Sequence, residues 1–172
     1  QGSGSNGVLL IRSAKELEQL GMVKDFMVQE YLQGQEYSVD VYVGVDKVLA
    51  AVVRERCKID SGIAVISSTI HDDEIIQLAS AIALDIGIRY VANIQFKRDQ
   101  NGNPRLLEIN PRFPGTMSLT VAAGVNMPEL SLRDICGQEL ARHYDYSDLT
   151  MARHWHEIFM QRDDLKEHLH LS

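Results

Sequence analysis

The amino-acid sequence predicts an α+β fold built mainly from antiparallel strands, and a few stretches carry this prediction. Residues 36–45 alternate apolar and polar side chains, and residues 46–56 form a second apolar run after a short turn, as an antiparallel pair does. Residues 72–87 place apolar side chains at helical spacing between a carboxylate start and a glycine stop. Residues 90–110 have the pattern of a hairpin. Antiparallel strand groups interrupted by helices are typical of α+β proteins rather than of doubly wound sheets.

The remaining elements follow from local signals. Ser13 and Glu16 make a capping box, which predicts a short helix over residues 14–20 that ends at Gly21. The other expected elements are strands over 7–12 and 25–32, a loop with an extended segment over 57–70, helices over 116–123 and 126–142, a turn-rich stretch at 143–149, a strand at 150–159 and a charged tail at 161–172. A chain of 172 residues can bury one core, or two small subdomains that share a cleft.

Composition narrows the class of protein. The net charge of −7 argues against non-specific nucleic-acid binding, because such binding requires a basic surface. No apolar run approaches the roughly 20 residues of a membrane-spanning helix, and the first residues lack a signal-peptide pattern. Cys57 and Cys136 are too few for a disulfide framework. We therefore expect a cytoplasmic protein with reduced thiols and with no nucleic-acid or membrane partner.

The most informative stretch surrounds an Asn-Gly pair at residues 101–102. Such a pair favours a two-residue type I′ turn, because both residues tolerate positive φ. With that turn, Gln95 faces Glu108 and Asn93 faces Asn110 across the ladder, all on one side of the hairpin. The apolar side chains then lie on the other side, with Ile94 opposite Ile109 and Phe96 opposite Leu107.

The polar side of this hairpin is a candidate metal site. Gln95, Glu108 and Asn110 offer only hard oxygen ligands, which suit Mg²⁺ or Mn²⁺ and exclude a zinc-type site. Mg²⁺ takes one or two carboxylates and completes its coordination with water and phosphates, so an incomplete protein cage is expected. The alternative is an ordinary solvent-facing side of a hairpin. We favour the metal site because these oxygen-bearing residues occur together and are followed by Arg112.

Three motifs resemble those of one known family. LLEINPRFPGT (residues 106–116) resembles the metal-binding strand of the ATP-grasp superfamily, particularly of its carbamoyl-phosphate-synthetase-like branch. QGSGSNGV (residues 1–8) is similar to that family's flexible glycine-rich loop over the nucleotide phosphates. VQEYLQGQEYSVDV (residues 28–41) is similar to the hinge that holds adenine and ribose. The motifs occur in the order expected for the family.

The resemblance implies an ATP-grasp fold truncated at its N-terminus, with ATP and Mg²⁺ (or Mn²⁺) as cofactors. Residues 1–32 are then the remainder of the small lobe, and residues 33–172 are the large lobe. The resemblance assigns nucleotide binding to Gly2, Ser3, Gly4, Ser5, Gly7, Glu30, Tyr31, Leu32 and Glu36. A disordered Gly/Ser leader stays an alternative for the loop, and exposed carboxylates at strand ends stay an alternative for Glu30 and Glu36.

Three arginines are candidates for anion binding. The family's arginine that matches Arg112 contacts the transferring phosphoryl group, which makes Arg112 the candidate catalytic residue. Arg54 and Arg56 lie two apart on one strand and therefore project to the same face, where they could engage an anionic substrate or the nucleotide phosphates. The alternative for this pair is two ordinary surface arginines.

The resemblance implies ATP-dependent ligation of a carboxylate to an amine or ammonia through an acyl phosphate. The expected partners are these small-molecule substrates and an N-terminal domain of the same protein, and a homodimer is compatible with the sequence. The family's lysines before the glycine-rich loop would precede Gln1, so we expect a fragment that is poorly active alone. The competing hypothesis is a non-catalytic nucleotide-binding or protein-interaction module that keeps the ATP-grasp fold.

Overall fold

The computed structural model describes residues 8–21, 27–60, 62–154 and 159, and it is organised around one antiparallel sheet. The described strands are β1 (Glu36–Val43), β2 (Val48–Asp60), β3 (Ile63–Ile70), β4 (Tyr90–Arg98), β5 (Pro104–Asn110) and β6 (Thr150–Ala152). The described helices are α1 (Ala14–Leu20), α2 (Asp73–Asp85), α3 (Met117–Ala122) and α4 (Met127–Ile135). The strand order is β5-β4-β1-β2-β3-β6, and every neighbouring pair is antiparallel. The α+β prediction is confirmed. No helix in these ranges is long and apolar enough to span a bilayer.

Most of the predicted helices are present. In α1 the Ser13 hydroxyl accepts from the Glu16 backbone N–H, and Gly21 ends the helix with φ 65°. α2 and α3 lie within their predicted ranges. α4 begins after Asn126, as predicted, but ends at Ile135 rather than near residue 142.

The prediction of a loop with an extended segment over residues 57–70 is wrong for the loop at 57–60, which extends β2, whereas the extended segment is present as β3. β2 continues to Asp60, and β3 runs back beside it through a ladder that is irregular around Lys58. β2 is buried at its start and exposed at its end, so its second half lacks the apolar pattern that identifies a strand. Pairing with β3, rather than burial, satisfies the backbone of this half.

The two short strands predicted before β1 are also wrong where the structure describes them, at residues 8–12 and 27–32. Neither segment pairs with a described strand, and a strand needs a partner for its backbone groups. At the other end, β6 stops at Ala152, so residues 153–154 of the predicted strand lie outside it. The charged tail at 161–172 lies outside the described residues.

One face of the sheet packs on α2. This helix begins at Asp72, whose side chain accepts from the Ile75 N–H, and it buries Ile75, Ala79 and Ala83. The sheet contributes the other side of this core through Tyr37, Val39, Val41, Val43, Ala51, Val53, Ala92, Ile94 and Phe96. Burial of this apolar surface is a main driving force for folding.

The opposite face is apolar at only one end. There the α3–α4 region covers Tyr42, Val52 and Val91. The Tyr42 hydroxyl donates to Asp134 Oδ2 at 3.1 Å, and Arg89 binds the same carboxylate, which fastens α4 to the sheet. The other end of this face carries polar side chains, and it holds the predicted site residues of the sheet.

The β4–β5 hairpin has the predicted register at its polar end. The pairs there are Asn93–Asn110, Ile94–Ile109 and Gln95–Glu108, as predicted. Nearer the turn, Phe96 pairs with Leu106 rather than with Leu107, because the register shifts between Gln95 and Phe96. A bulge of this kind adds one residue to one strand, which offsets the longer turn.

The predicted type I′ turn is wrong. Gly102 has φ 84°, whereas Asn101 does not adopt positive φ, and the Gly102 N–H donates to Asp99 O at 3.0 Å. The Asp99 carboxylate accepts from the backbone N–H groups of Asn101 and Asn103, which stabilises this longer turn. Burial raises the pKa of Asp99, but these backbone hydrogen bonds and the Arg105 side chain hold it below its usual value.

Gly34 positions the segment that precedes β1. Its N–H donates to Arg98 O at 3.0 Å, and the Arg98 N–H donates to Gln35 O at 3.0 Å, so the segment lies beside the end of β4. A Cβ atom on residue 34 would clash with the Arg98 carbonyl group. Only glycine permits this close approach of two backbones.

Gly34→Ala is expected to lower the free energy of unfolding by about 1–3 kcal/mol, because the added methyl group forces the two backbones apart. Gly115→Ala is the matched control, since a Cβ there meets no heavy atom within 4 Å. It is expected to change stability by at most about 0.5 kcal/mol. Urea denaturation followed by circular dichroism measures both, and equal losses would show that the close approach is unimportant.

Tyr42 is expected to make stability depend on alkaline pH. Burial and the hydrogen bond to Asp134 raise its pKa from 10.0 to about 12, so the folded state favours the neutral phenol. This contribution is complete below the pKa of the unfolded state and is lost as pH rises from 10.0 towards about 12. The free energy of unfolding should fall over this window, and less steeply in Tyr42→Phe.

Urea titrations at several pH values test this prediction. Tyr31→Phe is the control because that side chain is 59% exposed, and it should keep the wild-type slope. Some slope should also persist in Tyr42→Phe, since burial raises the pKa of Tyr146 as well. An unchanged slope in Tyr42→Phe would contradict the assignment.

Candidate active site

The polar half of the second face is formed by neighbouring residues of four strands, β5, β4, β1 and β2. Strand alternation turns every second side chain of each strand to this face, and the ladder registers align them in rows. One row consists of Asn110, Asn93 and Asp40, and the next consists of Glu108, Gln95, Ser38 and Arg54. The rows run from the exposed hairpin into the protein interior.

A buried ion pair lies at the inner end of these rows. Asp40 and Arg54 are 0% and 1% exposed, and Arg54 Nη2 donates to Asp40 Oδ1 at 2.7 Å. Asn93 Nδ2 donates to the same oxygen at 2.7 Å, and Thr120 Oγ1 donates to Asp40 Oδ2. Three donors thus replace the water that the carboxylate loses on burial.

This burial corrects the prediction that Arg54 engages an anion. Its second terminal nitrogen, Nη1, donates to Thr116 Oγ1, so both ends of the guanidinium are bound inside the protein. Arg54 and Arg56 do project to the same face, and Arg54 contacts Thr116 at the start of α3. A guanidinium that is 1% exposed does not reach a substrate or a nucleotide phosphate in this arrangement.

The three predicted metal ligands lie together at the outer end of the rows. Glu108 Oε1 accepts from Gln95 Nε2 at 2.7 Å and from Asn110 Nδ2 at 2.8 Å. Glu108 is exposed, and the two amides are half-buried. The hairpin register therefore gathers one carboxylate and two amides at one point on the surface.

The donor atoms of this cluster fit Mg²⁺ or Mn²⁺. Each side chain carries a hard oxygen, and a single carboxylate leaves coordination positions for water and phosphate. In the structure both amides turn their N–H groups towards Glu108, and a half-turn of each amide would present its oxygen instead. No cluster of three or more His, Cys, Asp or Glu side chains suited to a metal occurs within the described ranges. A cation site here therefore depends on the amide oxygens.

Arg56 and Glu36 form a second ion pair, beside the metal-ligand candidates. Arg56 Nη1 binds Glu36 Oε1 and donates to Gln95 Oε1 at 3.2 Å, while Nη2 donates to Gly62 O at 2.6 Å. The two charged side chains are 9% and 18% exposed. Glu36, the predicted ribose ligand, is therefore held by Arg56 in this arrangement, and Arg56 contacts a predicted metal ligand.

Arg112 lies on the surface at the end of the hairpin. Its Nη2 is 3.5 Å from Asn110 Oδ1, and its Nη1 donates to Phe113 O at 3.3 Å. No ion pair to Arg112 is formed within the described part of the chain. Its guanidinium therefore stays accessible to an anionic ligand next to the Glu108 cluster.

The predicted hinge is described only from residue 27 onward. Glu30 is exposed, Tyr31 is 59% exposed and Leu32 is buried at 8% exposure. No strand forms here, so these residues do not present a ladder edge to adenine. The residues of the predicted phosphate loop lie outside the described residues, and they are Gly2, Ser3, Gly4, Ser5 and Gly7.

Sequence reasoning missed the buried network behind the site. Asp40 carries a usable signal, because it shares the alternation of Glu36 and so faces the same side of β1. Thr116 and Thr120 carry no such signal, since their contacts with Arg54 and Asp40 depend on how α3 packs over the sheet.

Comparison with known proteins assigns the family. Residues 22–156 match the family described as ATP-grasp in the biosynthetic pathway with Ter operon. The chain therefore belongs to this ATP-grasp family. The resemblance to the carbamoyl-phosphate-synthetase-like branch is also confirmed, because several curated relatives are carbamoyl phosphate synthase large chains.

These relatives are much longer than this chain. The large chain from Clostridium perfringens is 29% identical over 125 residues, which are 66% of this chain and 12% of the relative. The chain thus spans about an eighth of that protein's length.

Two solved structures share the fold. N5-carboxyaminoimidazole synthetase from Staphylococcus aureus superposes with a TM-score of 0.66 at 16% identity, over 83% of this chain and 41% of its own. Biotin carboxylase from Campylobacter jejuni, solved as a βγ-ATP complex, gives 0.54 at 18% identity, over 66% of this chain and 28% of its own.

The two ion pairs are expected to differ in their contribution to stability. Asp40→Asn should lower the free energy of unfolding by about 3–5 kcal/mol, because it leaves the buried Arg54 charge uncompensated. Glu36→Gln should cost only about 1 kcal/mol, because Arg56 keeps Gly62 O and Gln95 Oε1 as acceptors. Urea denaturation of both variants checks the order, and a larger loss in Glu36→Gln would contradict this account.

Proposed function

We propose that this chain is the metal-binding and phosphate-binding part of an ATP-dependent carboxylate–amine (or ammonia) ligase that works through an acyl phosphate. One observation carries the proposal: the oxygen-bearing side chains of Gln95, Glu108 and Asn110 meet at one point beside two arginines, Arg56 and Arg112. Carboxylate and amide oxygens suit a magnesium ion, and guanidinium groups suit phosphate.

The relatives support the nucleotide part of the proposal. By name these relatives are a carbamoyl phosphate synthase, a carboxyaminoimidazole synthetase and a biotin carboxylase, and the Campylobacter jejuni protein was solved with βγ-ATP. The two solved structures are 16% and 18% identical to this chain, and what they share with it is the fold.

Each candidate site residue would have a role that follows from the chemistry of its side chain. Glu108, with the amide oxygens of Gln95 and Asn110, would hold Mg²⁺ or Mn²⁺, and the bound ion supplies positive charge that neutralises the nucleotide phosphates. Arg112 offers a planar fork of donors to the oxygens of the transferring phosphoryl group. Arg56 contacts the metal-ligand candidate Gln95. It can offer a second guanidinium to the phosphates if its ion pair with Glu36 opens.

The proposed reaction has two steps. A carboxylate oxygen attacks the γ-phosphorus of ATP, the bond to the β–γ bridging oxygen breaks, and ADP leaves with those electrons. The nitrogen of an amine or ammonia then attacks the acyl carbon, phosphate leaves and the nitrogen loses a proton. The protein chiefly positions the reactants and stabilises charge, which fits a polar face without a nucleophile–base pair.

The lobes and the nucleotide pocket belong to the same proposal. Residues 1–32 would contribute the glycine-rich loop and the hinge, and residues 33–172 would contribute the sheet with the Glu108 cluster. Glu30, Tyr31, Leu32 and Glu36 would then line the adenosine end of the pocket. The exposure of Glu30 and Tyr31 supports this role, because their groups are open to a ligand.

Glu108→Ala is expected to abolish detectable binding of Mg·ATP, because it removes the carboxylate on which both amides converge. Glu139→Ala is the matched control, since Glu139 is an exposed carboxylate on another part of the chain. Isothermal titration calorimetry with Mg·ATP, and Mn²⁺ titration followed by electron paramagnetic resonance, measure the two affinities.

Arg112→Met adds a second comparison. It should keep Mn²⁺ binding and weaken Mg·ATP binding by about tenfold, the value of one charge-assisted hydrogen-bonded contact. Equal binding by wild type and Glu108→Ala would refute the metal assignment. Tight binding of Mg·ATP without turnover in the full-length protein would instead favour the non-catalytic nucleotide-binding module.

A further inference from the structure

We propose that Arg54 is a positioning residue that fixes the loop at residues 111–116, which carries Arg112. The proposal rests on the proposed function only where it assigns a phosphate ligand to Arg112. The fixing of the loop itself stands on contacts within the chain, and it can be tested without a nucleotide.

The guanidinium of Arg54 joins the sheet to this loop. Its Nη2 donates to Asp40 Oδ1 at 2.7 Å, and its Nη1 donates to Thr116 Oγ1. Because the guanidinium is planar and rigid, fixing one end on Asp40 also fixes the direction of the other. The position of Thr116 is thereby set relative to β1 and β2.

The conformation of Thr116 supports a dedicated role for this contact. Thr116 is the N-cap residue of α3, where a threonine hydroxyl ordinarily accepts a hydrogen bond from a backbone N–H of the first helical turn. Here its side chain makes no such capping bond. The hydroxyl oxygen is oriented towards Arg54 instead, so the helix start gives up its side-chain cap for the contact with the sheet.

The same ion pair also reaches the metal-ligand candidates. Asn93 Nδ2 donates to Asp40, which leaves Asn93 Oδ1 to accept from Gln95 Nε2 at 3.3 Å. The loop of Arg112 and the amide of Gln95 are therefore both positioned from one buried carboxylate. Because Asp40 is 0% exposed, water does not compete for the hydrogen bonds of its carboxylate.

The loop has few other internal restraints. Pro111, Arg112 and Phe113 are exposed. At its far end, Arg153 Nη2 donates to Gly115 O at 2.6 Å, but this is a contact on the exposed surface. Loss of the hydrogen bond between Arg54 and Thr116 should therefore increase local opening of the loop as far as Arg112.

The test compares a half-buried threonine, Thr116, with a buried one, Thr69, because their hydroxyls bind different groups. Thr116→Val removes the acceptor of Arg54 and keeps the side-chain shape. Thr69→Val is the matched control: Thr69 pairs with Arg54 across β2 and β3, but its hydroxyl binds backbone groups of Ser147 and Leu149. Hydrogen exchange by NMR reports on the loop through the amides of Arg112 and Met117, which bond to Asn110 O and Pro114 O.

Thr116→Val should speed exchange of these two amides by about tenfold, because their bonds then open locally. It should also weaken Mg·ATP binding by about tenfold while leaving the affinity for Mn²⁺ alone within about twofold. A merely structural defect would not separate these two affinities. Thr69→Val should leave exchange at both amides within about twofold of wild type.

Arg54→Lys provides the second arm. Lysine keeps the charge beside Asp40 but cannot bind Asp40 and Thr116 with one planar fork. If both variants act by breaking one contact, the double variant should exchange no faster than Thr116→Val alone. The proposal is overturned if Thr116→Val leaves loop exchange like that of Thr69→Val, or if the two effects add. Failure of wild type to bind Mg·ATP would instead reject the proposed function, and the exchange data would still decide the positioning role.

Discussion

The buried ion pair between Asp40 and Arg54 is the constraint on which the polar face depends. Two charges with almost no exposure need hydrogen bonds in place of lost water, and apart from their mutual contact these come from β4, α3 and the loop before it. Apolar packing alone permits small shifts of a helix over a sheet. A carboxylate that needs three donors at once does not, so α3 and the three central strands have one relative position.

The polarity of the face changes gradually from this pair to the surface. Inside, both oxygens of Asp40 accept hydrogen bonds from the protein, whereas Arg54 Nε is buried without a hydrogen-bond partner in the described part of the chain. Outside, Glu108 is exposed and is bound by two amides whose oxygen and nitrogen ends can exchange places by rotation. A rigid inner network with adaptable outer side chains would suit the proposed cation site, whose ligands must be able to reorient. Arg56 and Arg112 place positive charge beside this layer, although the chain as a whole carries −7.

Membership of the ATP-grasp family concerns the fold of this chain, whereas the geometry of the polar face concerns its function. The family match and the solved structures establish the fold of this chain. Function depends on the site that a fold carries, and here the site is argued from the residues of the β4–β5 hairpin and its neighbours. The curated relatives are several times longer than this chain, which matches about an eighth of their length.

The sequence by itself determined the α+β class, the positions at which the helices begin, the central strands and the pairing that gathers Gln95, Glu108 and Asn110, because these depend on local periodicity and capping. It did not determine the turn, where the Asp99 carboxylate stabilises a longer loop and a bulge offsets the change in register. It also did not determine the ladder between β2 and β3, or the burial of the Arg54 side chain. Strand alternation gives the face on which a side chain lies, but only tertiary packing decides whether a helix covers that part of the face, since cover depends on contacts between residues far apart in the chain.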